Sequence, residues 1–130
     1  MNIQKIIAYW VESSKRDFEV AKDLFKKKHY SYCLFFCHLT LEKILKALVV
    51  KTTKQQAPYL HDLRKLAERA ELDSSPKQFT RLDKISTFNI AGRYNDFKLK
   101  FYKKCTKVFT KKYLQLSKKL YQCFNKQLKN

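Results

Sequence analysis

The residues that make tight turns are scarce in this sequence. Among 130 residues there is a single glycine, Gly92, and there are two prolines, Pro58 and Pro76. An all-β fold needs many turns built on such residues, so this scarcity argues against strands and favours helices. Hydrophobic residues nevertheless make up 45% of the chain, which excludes intrinsic disorder and predicts one folded domain spanning residues 1–130.

Acidic residues are also scarce, and the last one in the chain is Asp96. The sequence has 29 basic and 11 acidic residues, and residues 97–130 contain eleven lysines with no aspartate or glutamate. Such a segment attracts polyanions, which predicts RNA, DNA, nucleotide phosphates, anionic lipid or an acidic protein as partner. The alternative is a lysine-rich surface that only solubilises the chain. Lysines outnumber arginines, which does not favour base-specific recognition.

The four cysteines do not form a CxxC pair. Cys33 and Cys37 are four residues apart within an apolar run, so they share one helix face and are expected to be buried free thiols rather than metal ligands. The N-terminus has no signal-peptide pattern, and the longest apolar runs are too short to span a membrane. A reducing cytoplasm is the predicted location.

Apolar residues recur every three to four positions along most of the chain, which is typical of amphipathic helices. Residues 32–41 are almost all apolar and predict the central helix. Ser75, Pro76 and Gln78 form the strongest helix start, with an N-cap, a proline at N1 and a capping-box partner. Asn2 and Ser31 are also predicted caps, and residues 89–95, around Gly92, are predicted as a loop. The predicted helices cover about residues 2–28, 31–51, 58–70, 76–88 and 103–128.

The predicted fold class is therefore all-α. Short connections between four long helices and one short helix predict an antiparallel up-and-down helical bundle.

Motifs that would identify a common enzyme class are missing from the sequence. There is no GxGxxG, Walker lysine loop, GxSxG or HExxH pattern, and no cofactor is predicted. Three histidines remain. His29 lies in a lysine-rich turn and is expected to be exposed, whereas His38 lies in the apolar run and is expected to be a hydrogen-bonded core histidine.

Four short stretches together resemble the HEPN family. They are LEKILKAL at 41–48, PYLHDL at 58–63, FNIAGRYND at 88–96 and FYKKCT at 101–106. Their order and separation span almost the whole chain. The resemblance implies a helical bundle that usually forms a homodimer, often beside a small nucleotidyltransferase of the MNT type. The sequence departs from the family at Asn95, where a proline is common, and at His38-Leu39, where many relatives have glutamines.

Some HEPN proteins are ribonuclease toxins that use an arginine followed, after four to six residues, by a histidine. The imidazole transfers the proton of the 2′-hydroxyl group while the guanidinium stabilises the developing phosphorane charge. No arginine of this chain precedes a histidine at that distance, and no histidine follows His61. The chain is therefore predicted to lack this catalysis, unless folding brings His61 and Arg93 together.

The candidate site combines the 88–96 loop with neighbouring polar residues. Its predicted nucleotide- or phosphate-binding residues are Arg93, Tyr94, Asp96, Lys43, Lys46, His61 and Asp62. The structural alternative is that Arg93 pairs with Glu42 or Asp62 and fixes the loop to the bundle. Similarly, Tyr102 and Tyr121 either stack on bases between lysines or pack within the bundle.

The function predicted from these observations is binding without catalysis. The expected ligand is a nucleotide, RNA or a nucleotidyltransferase partner, engaged by a dimer through its basic surface. One alternative is a degenerate ribonuclease toxin of a toxin–antitoxin pair, and another is a pure assembly subunit.

Overall fold

Residues 1–129, which the computed structural model describes, form helices and no β-strand. This confirms the all-helical bundle predicted from the sequence. No helix in the described residues is long and apolar enough to cross a bilayer. The helices are α1 (Ile3–Lys26), α2 (Tyr30–Thr53), α3 (Leu63–Arg69), α4 (Pro76–Ser86), α5 (Asn95–Lys104) and α6 (Lys107–Leu128).

Side-chain caps fix the start of four helices. Asn2 accepts a hydrogen bond from the backbone N–H of Lys5 at the start of α1, and Ser75 accepts one from Gln78 at the start of α4. Pro76 occupies the first turn of α4, as predicted. Asp62 and Thr106 cap α3 and α6 in the same way. Each such cap satisfies a backbone donor that has no partner within its helix, and contributes on the order of 1 kcal/mol.

Helix α2 lies at the centre of the bundle, as its apolar run predicted. It packs against α1 on one side, against α6 on another, and against α3. Leu34, Leu41, Ile44 and Leu45 are completely buried. Because α2 is enclosed on several sides, the polar residues of its middle section, including Glu42, are buried with it.

Helix α5 was not predicted. Residues 95–104 form a ten-residue helix, so the structure has three long and three shorter helices instead of four long helices and one short helix. Only Phe101 of α5 is buried, and one buried position gives no apolar periodicity to detect. Gly92 does interrupt the chain before α5, with a φ of 77° that favours glycine.

Three predicted helix starts were also wrong. The last helix begins at Lys107 rather than near Lys103, because Thr106 caps it. His29, not Ser31, lies at the N-cap of α2, and Ser31 is buried inside the helix. The third helix begins at Leu63 rather than near Pro58, because Asp62 caps it and the preceding residues are not helical. Residues 58–62 therefore form an irregular segment that brings His61 against α2.

Three of the four cysteines are buried free thiols, in agreement with the sequence analysis for Cys33 and Cys37. The hydrogen bond with Cys33, together with burial, raises the pKa of the Cys37 thiol well above its usual value. Burial raises the pKa of Cys105 to about 11. The Cys37 and Cys105 thiols therefore stay protonated and contribute to packing rather than to nucleophilic chemistry.

Candidate functional site

A buried carboxylate, that of Glu42 on α2, lies between two basic side chains. Its Oε2 is 3.2 Å from Nζ of Lys46, one turn further along α2, and its Oε1 is 2.8 Å from Nδ1 of His61. The side chains of Glu42 and Lys46 are each only 6% exposed. The Lys46 ammonium also lies 5.2 Å from the centre of the Trp10 ring on α1. Glu42 therefore compensates a buried positive charge while it also contacts a histidine.

The contact with Glu42 determines how the His61 ring is oriented. A carboxylate accepts hydrogen bonds, so Nδ1 of His61 donates to Glu42 and Nε2 is left at the other edge of the ring. The His61 side chain is 47% exposed and lies edge-on to the ring of Tyr59, which is itself 93% exposed. A carboxylate that orients an accessible imidazole can support proton transfer at Nε2.

His38 connects this cluster to the core. It is completely buried, and its Nε2 donates to the backbone carbonyl of His61 across 3.1 Å. This agrees with the prediction of a hydrogen-bonded core histidine, although its Nδ1 has no hydrogen-bond partner within residues 1–129. Burial lowers the pKa of His38. His38 is therefore uncharged, and its hydrogen bond links α2 to the segment that precedes α3.

The lowered pKa of His38 predicts that acid weakens the fold. Below about pH 6.5 the unfolded chain protonates this histidine while the folded chain does not. We therefore expect the free energy of unfolding to fall as the pH drops through that value, by up to about 1.4 kcal/mol per pH unit, and to level off below the folded pKa. Urea unfolding between pH 7.5 and pH 5 measures this slope, and His38→Gln should reduce it. Exposed His29 provides the control, because His29→Gln should keep the wild-type slope, and equal slopes in all three proteins would contradict the assignment.

The predicted ligand-binding lysines already face carboxylates. Nζ of Lys43 lies 2.7 Å from Oδ2 of Asp17 on α1, and Lys46 is buried against Glu42. Each pair neutralises the charge that its lysine would offer to a phosphate. Asp62, another predicted residue, accepts from the backbone of Lys65 and so has a role as a helix cap.

Arg93 does not pair with either predicted carboxylate, so the alternative in which it binds Glu42 or Asp62 is wrong. Its Nε donates to the backbone carbonyl of Asn89, and its guanidinium lies 4.9 Å from the centre of the Phe97 ring. Tyr94, at the N-cap of α5, is 86% exposed. Asp96 is exposed in the first turn of α5. This loop is held by local contacts and presents its polar groups to solvent.

The predicted site residues therefore fall into two groups. Lys43, Lys46, His61 and Asp62 lie on α2 or just before α3, where only Lys46 and His61 contact Glu42. Arg93, Tyr94 and Asp96 lie at the start of α5. Among the contacts within residues 1–129, none joins His61 to Arg93. The histidine and the arginine that a composite ribonuclease site would need are thus held by different partners.

The lysines of α5 and α6, together with the lysine that follows α6, are all exposed. We refer to them as the C-terminal lysines: Lys98, Lys100, Lys103, Lys104, Lys107, Lys111, Lys112, Lys118, Lys119, Lys126 and Lys129. In the described part of the chain, none of them forms an ion pair with a carboxylate. Tyr102 is 66% exposed among them. Tyr121 instead packs on Phe18 of α1, with ring centres 5.3 Å apart, so it follows the packing alternative.

Two basic residues of α4 were not among the predicted site residues. Arg81 and Lys84 face Lys112 and Lys119 of α6 across a cleft of about 590 Å³. A signal existed, since Lys77, Arg81 and Lys84 recur at spacings of four and three and so share one helix face. This face of α4 forms a basic cleft only together with α6, and the sequence does not show that the two helices lie opposite each other.

Comparison with known proteins gives a consistent result. The family model described as HEPN domain matches residues 7–127. A crystal structure of TT1696 from Thermus thermophilus has a similar fold, with a TM-score of 0.76, 18% sequence identity, and coverage of 94% of this chain and 97% of that one. No curated protein matches this chain. Because the family model covers most of the sequence, this chain belongs to the HEPN domain family.

Proposed function

We propose that this chain is a HEPN-family protein that binds RNA through α5 and the C-terminal lysines and does not cleave it. The observation that carries the proposal is the set of eleven exposed lysines without a carboxylate partner in the described residues. A surface with this charge releases counterions when it meets a phosphate backbone.

The distribution of aromatic residues on α5 supports RNA over a simpler polyanion. Tyr94 and Tyr102 are 86% and 66% exposed, and Lys98, Lys100 and Lys103 are exposed on the same helix. Bases of a single strand can stack on such rings while the ammonium groups contact the phosphates. Because lysine is a point charge rather than a planar fork, we expect little sequence preference.

Three observations support binding without cleavage. The Arg-x4-6-His pair of the ribonuclease members is missing from the sequence. The described contacts give His61 no arginine neighbour. The guanidinium of Arg93, which the composite site would need, lies over Phe97.

The test is anisotropy of a labelled single-stranded RNA of about 20 nucleotides, titrated with the full chain at 50 and 200 mM salt. If about four phosphates are contacted, the slope of log K against log salt is about −2.8, and affinity falls roughly 50-fold over this range. Lys98→Gln with Lys103→Gln should make the slope less steep by about 1.4. Lys5→Gln with Lys15→Gln on α1 removes the same charge and should leave the slope unchanged. No binding at 50 mM salt, or equal slopes in the two variants, would contradict the proposal.

A degenerate ribonuclease is the second candidate, and the contact between Glu42 and His61 favours it, because the carboxylate binds Nδ1 rather than Nε2 and the side chain of His61 is 47% exposed. The RNA recovered from the binding assay distinguishes the two functions. We expect intact RNA, whereas fragments that disappear with His61→Ala would establish cleavage.

Other features expected from the sequence or from the family resemblance stay predictions. They are a homodimer, a nucleotidyltransferase partner of the MNT type, a cytoplasmic location, and a ligand role for the predicted site residues. Among those residues, Arg93 and Tyr94 are exposed beside the proposed RNA surface, whereas Lys43 and Lys46 are paired with carboxylates. ATP and GTP, added to the RNA assay as competitors, show whether a nucleotide shares the surface.

A further inference from the structure

The cleft between α4 and α6 has an unusual charge composition. Its cations come from both walls: Arg81 and Lys84 from α4, and Lys112 and Lys119 from α6. No acidic residue lines it, and Leu116 contributes apolar surface. Its volume of about 590 Å³ lies in the range of small-molecule sites rather than of extended grooves.

Lys84 lies close to Lys104 of α5 and to Lys112 of α6. The adjacent Lys104 lowers the pKa of Lys84, and partial burial and Lys112 act in the same direction. A second cleft of about 310 Å³ adjoins the first at Lys84 and is lined also by Lys100 and Lys104. Cations from three helices therefore surround one short stretch of surface.

The available carboxylates do not compensate this charge. Asp83, next to Lys84 in the sequence, forms a two-point ion pair with Arg64 of α3, with distances of 2.8 to 3.1 Å. Two of the lysines lie instead against aromatic rings, Lys104 at 5.5 Å from Phe109 and Lys112 at 5.3 Å from Tyr113. A ring attracts a cation more weakly than a carboxylate does, so the repulsion between the lysines persists in the free protein.

The spacing of the cations indicates which shape of anion the cleft would fit. Lys112 and Lys119 are seven residues apart on α6, or about 10 Å along the helix axis. Arg81 and Lys84 are one turn apart on α4 and face them. A single carboxylate or monophosphate cannot meet charges distributed in this way, whereas a chain of adjacent phosphates presents several negative oxygens along one line.

We propose that the α4–α6 cleft binds linear inorganic polyphosphate. This site shares Lys112 and Lys119 with the proposed RNA surface, but it goes beyond the RNA function because it adds Arg81 and Lys84 of α4 and does not use the tyrosines of α5. The guanidinium of Arg81 can donate hydrogen bonds to two oxygens of one phosphate, and the lysines neutralise the adjacent phosphates.

Isothermal titration of the full chain with inorganic tripolyphosphate at low salt tests the site. We expect wild-type protein to bind, and Arg81→Gln with Lys84→Gln to weaken binding at least about tenfold, since two charge-assisted contacts are lost. Lys5→Gln with Lys15→Gln removes the same net charge from α1 and should change the affinity less than about twofold. The thermal midpoint of the ligand-free cleft variant should equal or exceed that of wild type, because mutual repulsion between cations is relieved.

The other ligands identify the source of the phosphates. ATP that binds as tightly as tripolyphosphate, with the same loss in the cleft variant, would overturn inorganic polyphosphate in favour of a nucleotide triphosphate. ATP that binds more weakly or not at all would support inorganic polyphosphate. The proposal is overturned if wild-type protein does not bind tripolyphosphate, or if the cleft variant and the α1 variant lose affinity equally. It is also overturned if the cleft variant loses RNA affinity while its tripolyphosphate affinity is unchanged, because the cleft would then belong to the RNA surface.

Discussion

Glu42→Ala is expected to lower the free energy of unfolding by about 3–5 kcal/mol. The substitution leaves the ammonium of Lys46 buried without its counter-ion, since that side chain is only 6% exposed. It also removes the acceptor of the His61 ring. Breaking a buried ion pair from one side is costly because the remaining charge cannot reach water.

Urea unfolding measures the loss, and a surface pair supplies the control. Arg64 and Asp83 are 40% and 50% exposed, so Asp83→Ala should lower the free energy of unfolding by less than about 1 kcal/mol. This holds even though Arg64 contacts both carboxylate oxygens of Asp83. Glu42→Ala combined with Lys46→Met should recover much of the stability, because the second change removes the uncompensated charge and keeps an apolar side chain near Trp10. If Glu42→Ala costs no more than Asp83→Ala, the buried ion pair does not stabilise this fold.

Features with a local cause were predictable from the sequence. The start of α4 depends on Ser75 and Pro76, which act within one helical turn, and the central position of α2 follows from its unbroken apolar run. Helix α5 was missed because its apolar residues Phe97, Leu99 and Tyr102 are 37%, 53% and 66% exposed. The spacing of these residues does not correspond to a buried helix face. Helix α5 is joined to the core through Phe101, its one buried residue.

The candidate site was harder to predict because its contacts join distant segments. His61 meets Glu42 nineteen residues away, through an irregular segment whose path no local pattern determines. Arg93 had two plausible carboxylates in the sequence analysis, yet Lys46 and His61 contact one and a helix start uses the other. The positive charge of the C-terminal segment could be predicted from composition alone. The α4–α6 cleft could not, because the sequence does not show which face of α4 lies opposite α6.

Phe124→Ala is expected to lower the free energy of unfolding by about 3–5 kcal/mol. Phe124 is 1% exposed and lies in the core where α6 packs against α2. Of the α6 residues that are buried, only Phe124 and Leu120 are apolar, and Phe124 is the larger of the two. The Lys51 ammonium contacts the last carbonyls of α6 at 3.0 and 3.1 Å, and this contact also depends on the helix being docked.

The same helix supplies the control, since Val108 is 81% exposed and Val108→Ala should change stability by less than about 0.5 kcal/mol. Phe124→Leu should have an intermediate effect because it leaves a smaller cavity, which keeps the comparison informative if Phe124→Ala does not fold. Equal stability of Phe124→Ala and Val108→Ala in urea would mean that α6 is not anchored at this position. Because Lys112 and Lys119 form one wall of the α4–α6 cleft only while α6 is docked, the packing of this single ring also determines whether the opposing cations can act on one anion.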